Sequence, residues 1–191
     1  VDVHAGSDLR DKQANNRCTA VAGTGDDLLA LFTSFKTEQH MMRTMEEMPE
    51  QARVWIYQAD CFLSETLEHD VLERLQTFIA QWTSHGASMD ASAAIFHHRL
   101  IVIAADEQQA AASGCGIDKS VHFMQALGQE LGIDFFQRTT VIFGHDQDWR
   151  EAPIHQFWAM RKAGQVNDQT LILDTTVRTL GELRSALVKP F

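Results

Sequence analysis

Apolar residues recur at intervals of three and four between Ser64 and Ser84, and this period predicts an amphipathic helix. Ser64 can cap its first turn, and Gly86 is a suitable end. The apolar stripe consists of Leu67, Val71, Leu72, Leu75, Phe78, Ile79 and Trp82. A second stripe over residues 119–131 predicts another helix, with Asp118 as its N-cap.

Short runs of β-branched and other apolar residues predict the strands. Residues 54–57 form the first run and residues 139–143 a later one. Between the helices, residues 92–96 and 100–105 are separated by the tripeptide His-His-Arg. These two runs predict a hairpin or, alternatively, one long strand, because the intervening turn lacks the Gly or Asn that hairpin turns favour.

The predicted order strand, helix, strand, strand, helix, strand indicates an α+β fold. We expect a two-layer sandwich with helices on one face of an antiparallel sheet and a ferredoxin-like βαββαβ core, which has this order of elements. Further along, residues 154–163 predict a helix, residues 170–173 a strand and residues 179–188 a last helix. This extra C-terminal helix–strand–helix could extend the sheet by one edge strand.

Residues 1–47 differ from the rest because they are polar and show no sustained period, apart from one short helical segment that begins near Asp27. They predict a loosely ordered N-terminal arm, followed by a single α+β domain over residues 48–191. Translation beginning at Met48 is an alternative explanation of this contrast.

The charge of the chain excludes a general nucleic-acid binder. Its 191 residues include 16 Lys and Arg but 26 Asp and Glu, a formal net charge of −10, whereas phosphate binding needs clustered basic side chains. The apolar runs are too short for membrane insertion. Cys18, Cys61 and Cys115 are widely separated and odd in number, which predicts a reducing, cytoplasmic location.

The most reactive groups of the chain lie together in residues 113–123, between a predicted strand and the second predicted helix. A thiol, a carboxylate, an ammonium, a hydroxyl and an imidazole follow one another there, and glycines allow the backbone to approach a ligand closely. The candidate site residues are Gly114, Cys115, Gly116, Asp118, Lys119, Ser120 and His122.

An anion site is one interpretation of this segment, because the first amides of a helix are unpaired and attract anions. The further contacts would come from Gly114, Gly116, Lys119 and Ser120. In the alternative interpretation, Asp118 satisfies the amides itself as an ordinary cap.

A P-loop is a related possibility, because the segment ends in Lys-Ser. However, the P-loop pattern needs glycine where this chain has Ser113 and Asp118. Asp106 and Glu107 follow an apolar run as a Walker B pair would, but they precede the segment instead of following it. They could end a strand in water or face Lys119 across the loop.

A reactive thiol is the other interpretation. Cys115 near a helix start, with Lys119 and His122 close by, would be activated as a nucleophile or redox group, with His122 as a proton carrier, although Asp118 opposes this. The alternative is a small buried cysteine that fills a glycine turn. No His or Cys spacing typical of zinc occurs, so no metal site is predicted.

Three segments also carry a family resemblance: residues 53–58, 81–86 and 113–123, of which Cys-x-Ile-Asp-Lys-Ser-Val-His is the most specific run. Over about residues 48–180, the chain resembles a family of small bacterial proteins, mostly from Bacteroidetes, commonly labelled ABC transporter ATPase. The resemblance implies a chain that starts near Met48 and, through the label, binding or hydrolysis of Mg-ATP.

Three functions are therefore open. The first is an anion or thiol site at Ser113–His122. The second is the nucleotide binding or hydrolysis that the family label implies, with Mg-ATP as the one cofactor considered. The third is a non-catalytic interaction module that forms a homo-oligomer or binds a protein partner.

Overall fold

The computed structural model describes residues 43–108, 110–145 and 148–191. Within these ranges it confirms an α+β fold, and no helix there is long and apolar enough to cross a membrane. The helices are α1 (Glu65–Ala80), α2 (Gly114–Leu131), α3 (Ile154–Lys162) and α4 (Leu180–Ala186). The strands are β1 (Arg53–Gln58), β2 (Thr83–Ser84), β3 (Ala87–Ser88), β4 (Asp90–Phe96), β5 (Leu100–Asp106), β6 (Thr140–His145), β7 (Asp148–Pro153), β8 (Leu171–Leu173) and β9 (Val188–Pro190).

Strand β5 is the centre of the fold. It lies between β1 and β4 in a three-stranded antiparallel sheet, the central sheet, and its residues from Leu100 to Ala105 are 0% exposed. Both faces of β5 are covered, which explains why its sequence is continuously apolar instead of alternating. On one face, Ile101 and Ile103 belong to a core cluster with apolar residues of α1 and α2.

The opposite face of the central sheet is covered as well, by a second sheet and by α4. Val102 and Ala104 of β5 share a core cluster with Ile142 of β6 and with Leu180 and Leu183 of α4. Strand β6 lies in a second antiparallel sheet of order β7-β6-β8-β9. The ferredoxin-like arrangement is therefore not confirmed, because it would place the strand after α2 in the same sheet as β1.

The hairpin of β4 and β5 is confirmed. Phe96 pairs with Leu100, and the amide of Arg99 donates to the carbonyl of Phe96 at 3.1 Å. The two central residues of this turn, His97 and His98, have φ angles of 53° and 55°. Both angles are positive, as in a type I′ turn, although imidazole side chains adopt this conformation less readily than Gly or Asn.

The first helix ends earlier than predicted. Ser64 is its N-cap, accepting from the amide of Leu67 at 3.3 Å, but α1 stops at Ala80 instead of Ser84. The chain then forms the short β2–β3 hairpin, and Gly86, with a φ of 82°, lies in its turn. Trp82, at this change of direction, has a side chain that is 1% exposed, and its indole bonds to the start of α2.

The second helix starts earlier than predicted, and its N-cap is a different residue. Ser113 caps α2 by accepting the amide of Gly116 on its hydroxyl oxygen at 3.2 Å, so the prediction of Asp118 as the cap is wrong. Asp118 lies inside the helix with an exposed side chain. Gly132 ends the helix in a left-handed conformation with a φ of 68°.

The C-terminal elements lie close to their predicted positions, but they belong to the second sheet instead of extending the central one. Strand β8 pairs with β6 and β9, while β7 and β9 were not predicted. Most of the predicted N-terminal arm lies outside the described residues. Of the part that is described, Met45 is 8% exposed and packs with Leu180 and Leu183.

The N-cap of α2 can be tested by two alanine substitutions. Ser113→Ala should lower the free energy of unfolding by about 1 kcal/mol, because it leaves an amide at the helix start without an acceptor. Asp118→Ala should change it by less than about 0.5 kcal/mol, since this side chain is exposed and caps nothing. Urea unfolding followed by circular dichroism measures both, and equal losses would contradict the assignment.

Candidate functional site

Side chains from the β2–β3 hairpin fix the start of α2. The Ser84 hydroxyl accepts the amide of Ser113 at 3.0 Å and donates to the carbonyl of Ala111 at 2.7 Å. The indole Nε1 of Trp82 donates to the carbonyl of Gly116 at 2.8 Å. The first turn of the helix is therefore positioned by residues that are 29 and 34 positions away in sequence.

Four of the predicted site residues share one exposed face of α2. Cys115, Asp118, Lys119 and His122 lie at positions i, i+3, i+4 and i+7, and all four are exposed. We call this set the α2 face. Cys115 is a free thiol. The amides of Gly114 and Cys115 have no acceptor among the described residues, because the Ser113 hydroxyl takes that of Gly116.

Lys119 is tied to the β2–β3 hairpin. Its Nζ donates to the backbone carbonyl of Thr83 at 3.3 Å and to the Thr83 hydroxyl at 3.1 Å. These contacts are exposed, so they hold the ammonium beside the α2 face without removing it from water. Lys119 can therefore leave Thr83 and bind an anionic ligand at a small cost in free energy.

The structure does not bring the predicted acidic partners to Lys119. Asp106 lies 3.4 Å from the guanidinium of Arg43 and accepts the amide of Gln108 at 3.1 Å. Glu107 accepts the amide of Ala112 at 2.9 Å. Both carboxylates hold the loop that follows β5, which is a structural contribution.

Ser120 and Gly116 face the core instead of a ligand. Ser120 is 1% exposed, donates to the carbonyl of Ile117 at 2.8 Å and lies 3.1 Å from the hydroxyl of Tyr57. Gly116 is buried. The predicted anion contacts are thus reduced to Lys119 and the first amides of the helix.

Cys61 does not contribute a second exposed thiol. Cys61 is half-buried against the core under α1 and is not a free thiol. Over the described ranges, no group of three or more His, Cys, Asp or Glu side chains is arranged to hold a metal ion.

A second cluster, which we did not predict, surrounds Arg99 at the end of the β4–β5 turn. Arg99 is 0% exposed; its Nε donates to the carbonyl of Ala59 at 2.7 Å, and its Nη2 forms an ion pair with Glu151. The guanidinium carbon lies 4.7 Å from the ring centre of Phe62. Its Nη1 is buried without a hydrogen-bond partner.

A cavity of about 420 Å³ opens beside this arginine and is lined by Phe62, His97, His98 and Trp149. The indole Nε1 of Trp149 is a second buried donor without a partner. Leaving such a donor unsatisfied costs about 1–3 kcal/mol.

The two histidines differ in their contacts. The ring of His97 packs edge-on against Trp149 at 4.7 Å between centres, and burial, together with the neighbouring His98, lowers its pKa from 6.5. The Nδ1 of His98 lies 3.0 Å from a carboxylate oxygen of Glu68. His97 is consequently a neutral imidazole at neutral pH.

The sequence holds a signal for this cluster. Two residues with large side chains, His97 and His98, stand where a hairpin turn favours Gly or Asn, and Arg99 follows them directly. Non-glycine residues in a left-handed conformation are often retained for function. The partners Phe62 and Trp149 are distant in sequence, and no periodicity relates them to the turn.

Comparison with known proteins gives no match: no family model, no curated protein and no solved structure corresponds to this chain.

The lowered pKa of His97 predicts a pH dependence of stability. The unfolded chain takes up the His97 proton below about pH 6.5, at a higher pH than the folded chain does. Stability from this group is therefore complete above pH 6.5 and is lost as the pH falls towards the lower, folded pKa. His97→Asn, which suits a positive φ, should reduce the loss of unfolding free energy in this window.

Urea unfolding at neutral and mildly acidic pH measures this effect. His155→Asn on α3 is the control, because His155 is also a histidine but is exposed. If both variants keep the pH dependence of the unchanged protein, another group is responsible.

Proposed function

We propose that the protein acts through the α2 face, with Cys115 as a thiol nucleophile towards a small electrophilic or anionic substrate. The observation that carries this proposal is the grouping of Cys115, Asp118, Lys119 and His122, all exposed, on one side of one helix. The start of that helix is held by Ser84 and Trp82, so the reactive groups are presented on a fixed support.

Each group has a separate part in this scheme. The open amides of Gly114 and Cys115 and the positive end of the helix dipole stabilise a thiolate or an anionic substrate group. Lys119 contacts the anion. Residues seven apart lie about 10.5 Å apart along a helix axis, so His122 exchanges protons with a bound substrate and not directly with the thiol of Cys115.

A cytoplasmic location would keep a thiol nucleophile at Cys115 reduced. The state of Cys61 does not support this location, because Cys61 is not a free thiol.

ATP binding, which the family resemblance implies, is the competing proposal. In a P-loop, the lysine stands where a phosphate-wrapping loop meets a helix. Here α2 already begins at Gly114, so Lys119 lies in its second turn and little loop remains to wrap a phosphate. This geometry favours the thiol over the nucleotide.

A non-catalytic interaction module has one specific feature in its favour. Helix α3 exposes Ile154 and Trp158, one turn apart, at 48% and 50%. Such apolar side chains on a surface are used in contacts between proteins. This proposal predicts a homo-oligomer or a protein partner and no effect of substitutions on the α2 face.

The rate of alkylation of Cys115 by iodoacetamide tests the thiol proposal, with peptide mass spectrometry as the readout. We expect Cys115 to react at least about fivefold faster at neutral pH than an ordinary exposed thiol, because helix amides and Lys119 stabilise the thiolate. The matched control is Ala126→Cys in a Cys115→Ser background, an exposed position further along the same helix.

Variants that remove one charge each show how Lys119 and Asp118 affect the alkylation rate of Cys115. Lys119→Met should slow the reaction, and Asp118→Asn should accelerate it because it removes a negative charge from the same face. Equal alkylation rates for Cys115 and the control cysteine would contradict the thiol proposal. If Mg-ATP protects Cys115 from alkylation and Lys119→Met abolishes this protection, the nucleotide proposal is supported instead. If neither Mg-ATP nor the charge variants change the alkylation rate, the interaction module is favoured.

A further inference from the structure

Cys61 lies on a short segment that is fixed to the tip of the β4–β5 hairpin. The amide of Ala59 donates to the carbonyl of Arg99 at 3.0 Å, and the amide of Leu63 donates to the carbonyl of His98 at 2.7 Å. Cys61 stands between these two contacts and is half-buried against the core. The residue is therefore held at a defined place and keeps part of its surface in contact with water.

The sulfur of Cys61 is bonded to a second sulfur. Cys61 is in a disulfide, whereas Cys115 is a free thiol. The chain has three cysteines, so Cys18 is the partner that the chain leaves for Cys61. The odd number of cysteines is thus divided into one pair and one exposed thiol.

The described chain begins at the opposite end of the same hairpin. Arg43 lies 2.7 Å from a carboxylate oxygen of Asp90 and 3.4 Å from one of Asp106. These two aspartates are paired in register where β4 begins and β5 ends. Arg184 donates to the carbonyl of Met45 at 2.9 Å. The chain is therefore attached to the fold from Arg43 onward.

The length of chain between these two anchors is sufficient to span the hairpin. Strand β4 has 7 residues, which correspond to about 20 Å from one end of the hairpin to the other. Residues 19–42 reach at most roughly 80 Å when fully extended. A bond between Cys18 and Cys61 is therefore compatible with the ion pairs of Arg43.

We propose that Cys61 is paired with Cys18 and that this disulfide is a redox-sensitive clamp, which ties the N-terminal segment to the tip of the β4–β5 hairpin. When glutathione disulfide oxidises the two thiols, they lose two protons and two electrons, and the oxidant becomes two molecules of glutathione. A reducing dithiol reverses this reaction. Residues 19–42 are attached at both ends in the oxidised protein and only at Arg43 in the reduced protein.

The clamp responds to the compartment in which the chain is found. Disulfides persist in oxidising compartments and are reduced in the cytoplasm. Because Cys61 is half-buried and not fully enclosed, small reductants can reach the bond. The clamp is independent of the reaction proposed for Cys115.

Tryptic peptide mapping of the full chain tests the pairing. The protein is equilibrated in a glutathione redox buffer, and free thiols are then blocked with N-ethylmaleimide. We expect one cross-linked species that joins residues 18–36 to residues 54–74, the tryptic peptides that contain Cys18 and Cys61. Reduction should separate them, and residues 100–119, which contain Cys115, should be joined to neither.

Three results of the mapping would overturn the pairing. They are a maleimide label on Cys61 of the oxidised protein, a bond from Cys61 to Cys115, and a bond from Cys61 to the same residue of a second copy. None of them depends on the alkylation rate of Cys115, so the clamp and the thiol proposal fail separately.

Limited proteolysis tests whether the bond acts as a clamp. Trypsin cleaves after Lys36, which lies between Cys18 and Arg43. We expect reduction with dithiothreitol, or Cys18→Ser, to accelerate this cleavage at least about threefold, because a segment held at both ends opens less readily to a protease. Cys115→Ser is the matched control and should keep the slow cleavage of the oxidised protein. Equal cleavage rates in oxidised and reduced protein overturn the clamp.

Discussion

The double-sided burial of β5 is the constraint on which the rest of the structure depends. A strand with no exposed residue from Leu100 to Ala105 must be covered above and below. Helices α1 and α2 cover one face, and the second sheet with α4 covers the other. Every element that carries a candidate functional group is thereby held against the same strand, either directly or through one layer of side chains.

The α2 face and the Arg99 cluster stand at the two ends of this strand and differ in kind. Near the C-terminal end of β5, α2 exposes reactive side chains to water, and Ser84 and Trp82 of the adjoining segment fix the start of this helix. At its beginning, the turn residues lead Arg99 into a dry environment where one donor nitrogen has no acceptor. The first arrangement suits reaction with something that arrives from solvent. The second links the two sheets through a buried ion pair between Arg99 and Glu151.

The sequence predicts the elements whose information is local. The stripe of α1, the strands β1, β4 and β5, and the stop at Gly132 follow from periodicity and turn chemistry, and the structure confirms them. The end of α1 and the start of α2 were wrong because distant contacts decide them. Trp82 leaves the helical path to reach the core and Gly116, and Ser84 holds Ser113 in the capping position.

The same distinction applies to the sites. Only part of the α2 face is predictable, since helical spacing brings Lys119 and His122 to one side. Cys115 and Asp118 belong to this face because α2 starts at Gly114 and not at residue 119. Ser120, on the other side of that helix, turns inward to Tyr57, which only the packing reveals. The Arg99 cluster depends on β7, which has the polar, weakly alternating sequence of an exposed strand and was not predicted.

Arg99 also has a consequence for the order in which the chain folds. Its ionic partner Glu151 is 52 residues away and belongs to the other sheet. A guanidinium loses its hydration at a high free-energy cost unless its counter-charge is already present. The β4–β5 hairpin can therefore form early from local contacts, but Arg99 at its tip must stay hydrated until β7 packs against it. We expect the burial of Arg99 between the two sheets to be among the last steps of folding.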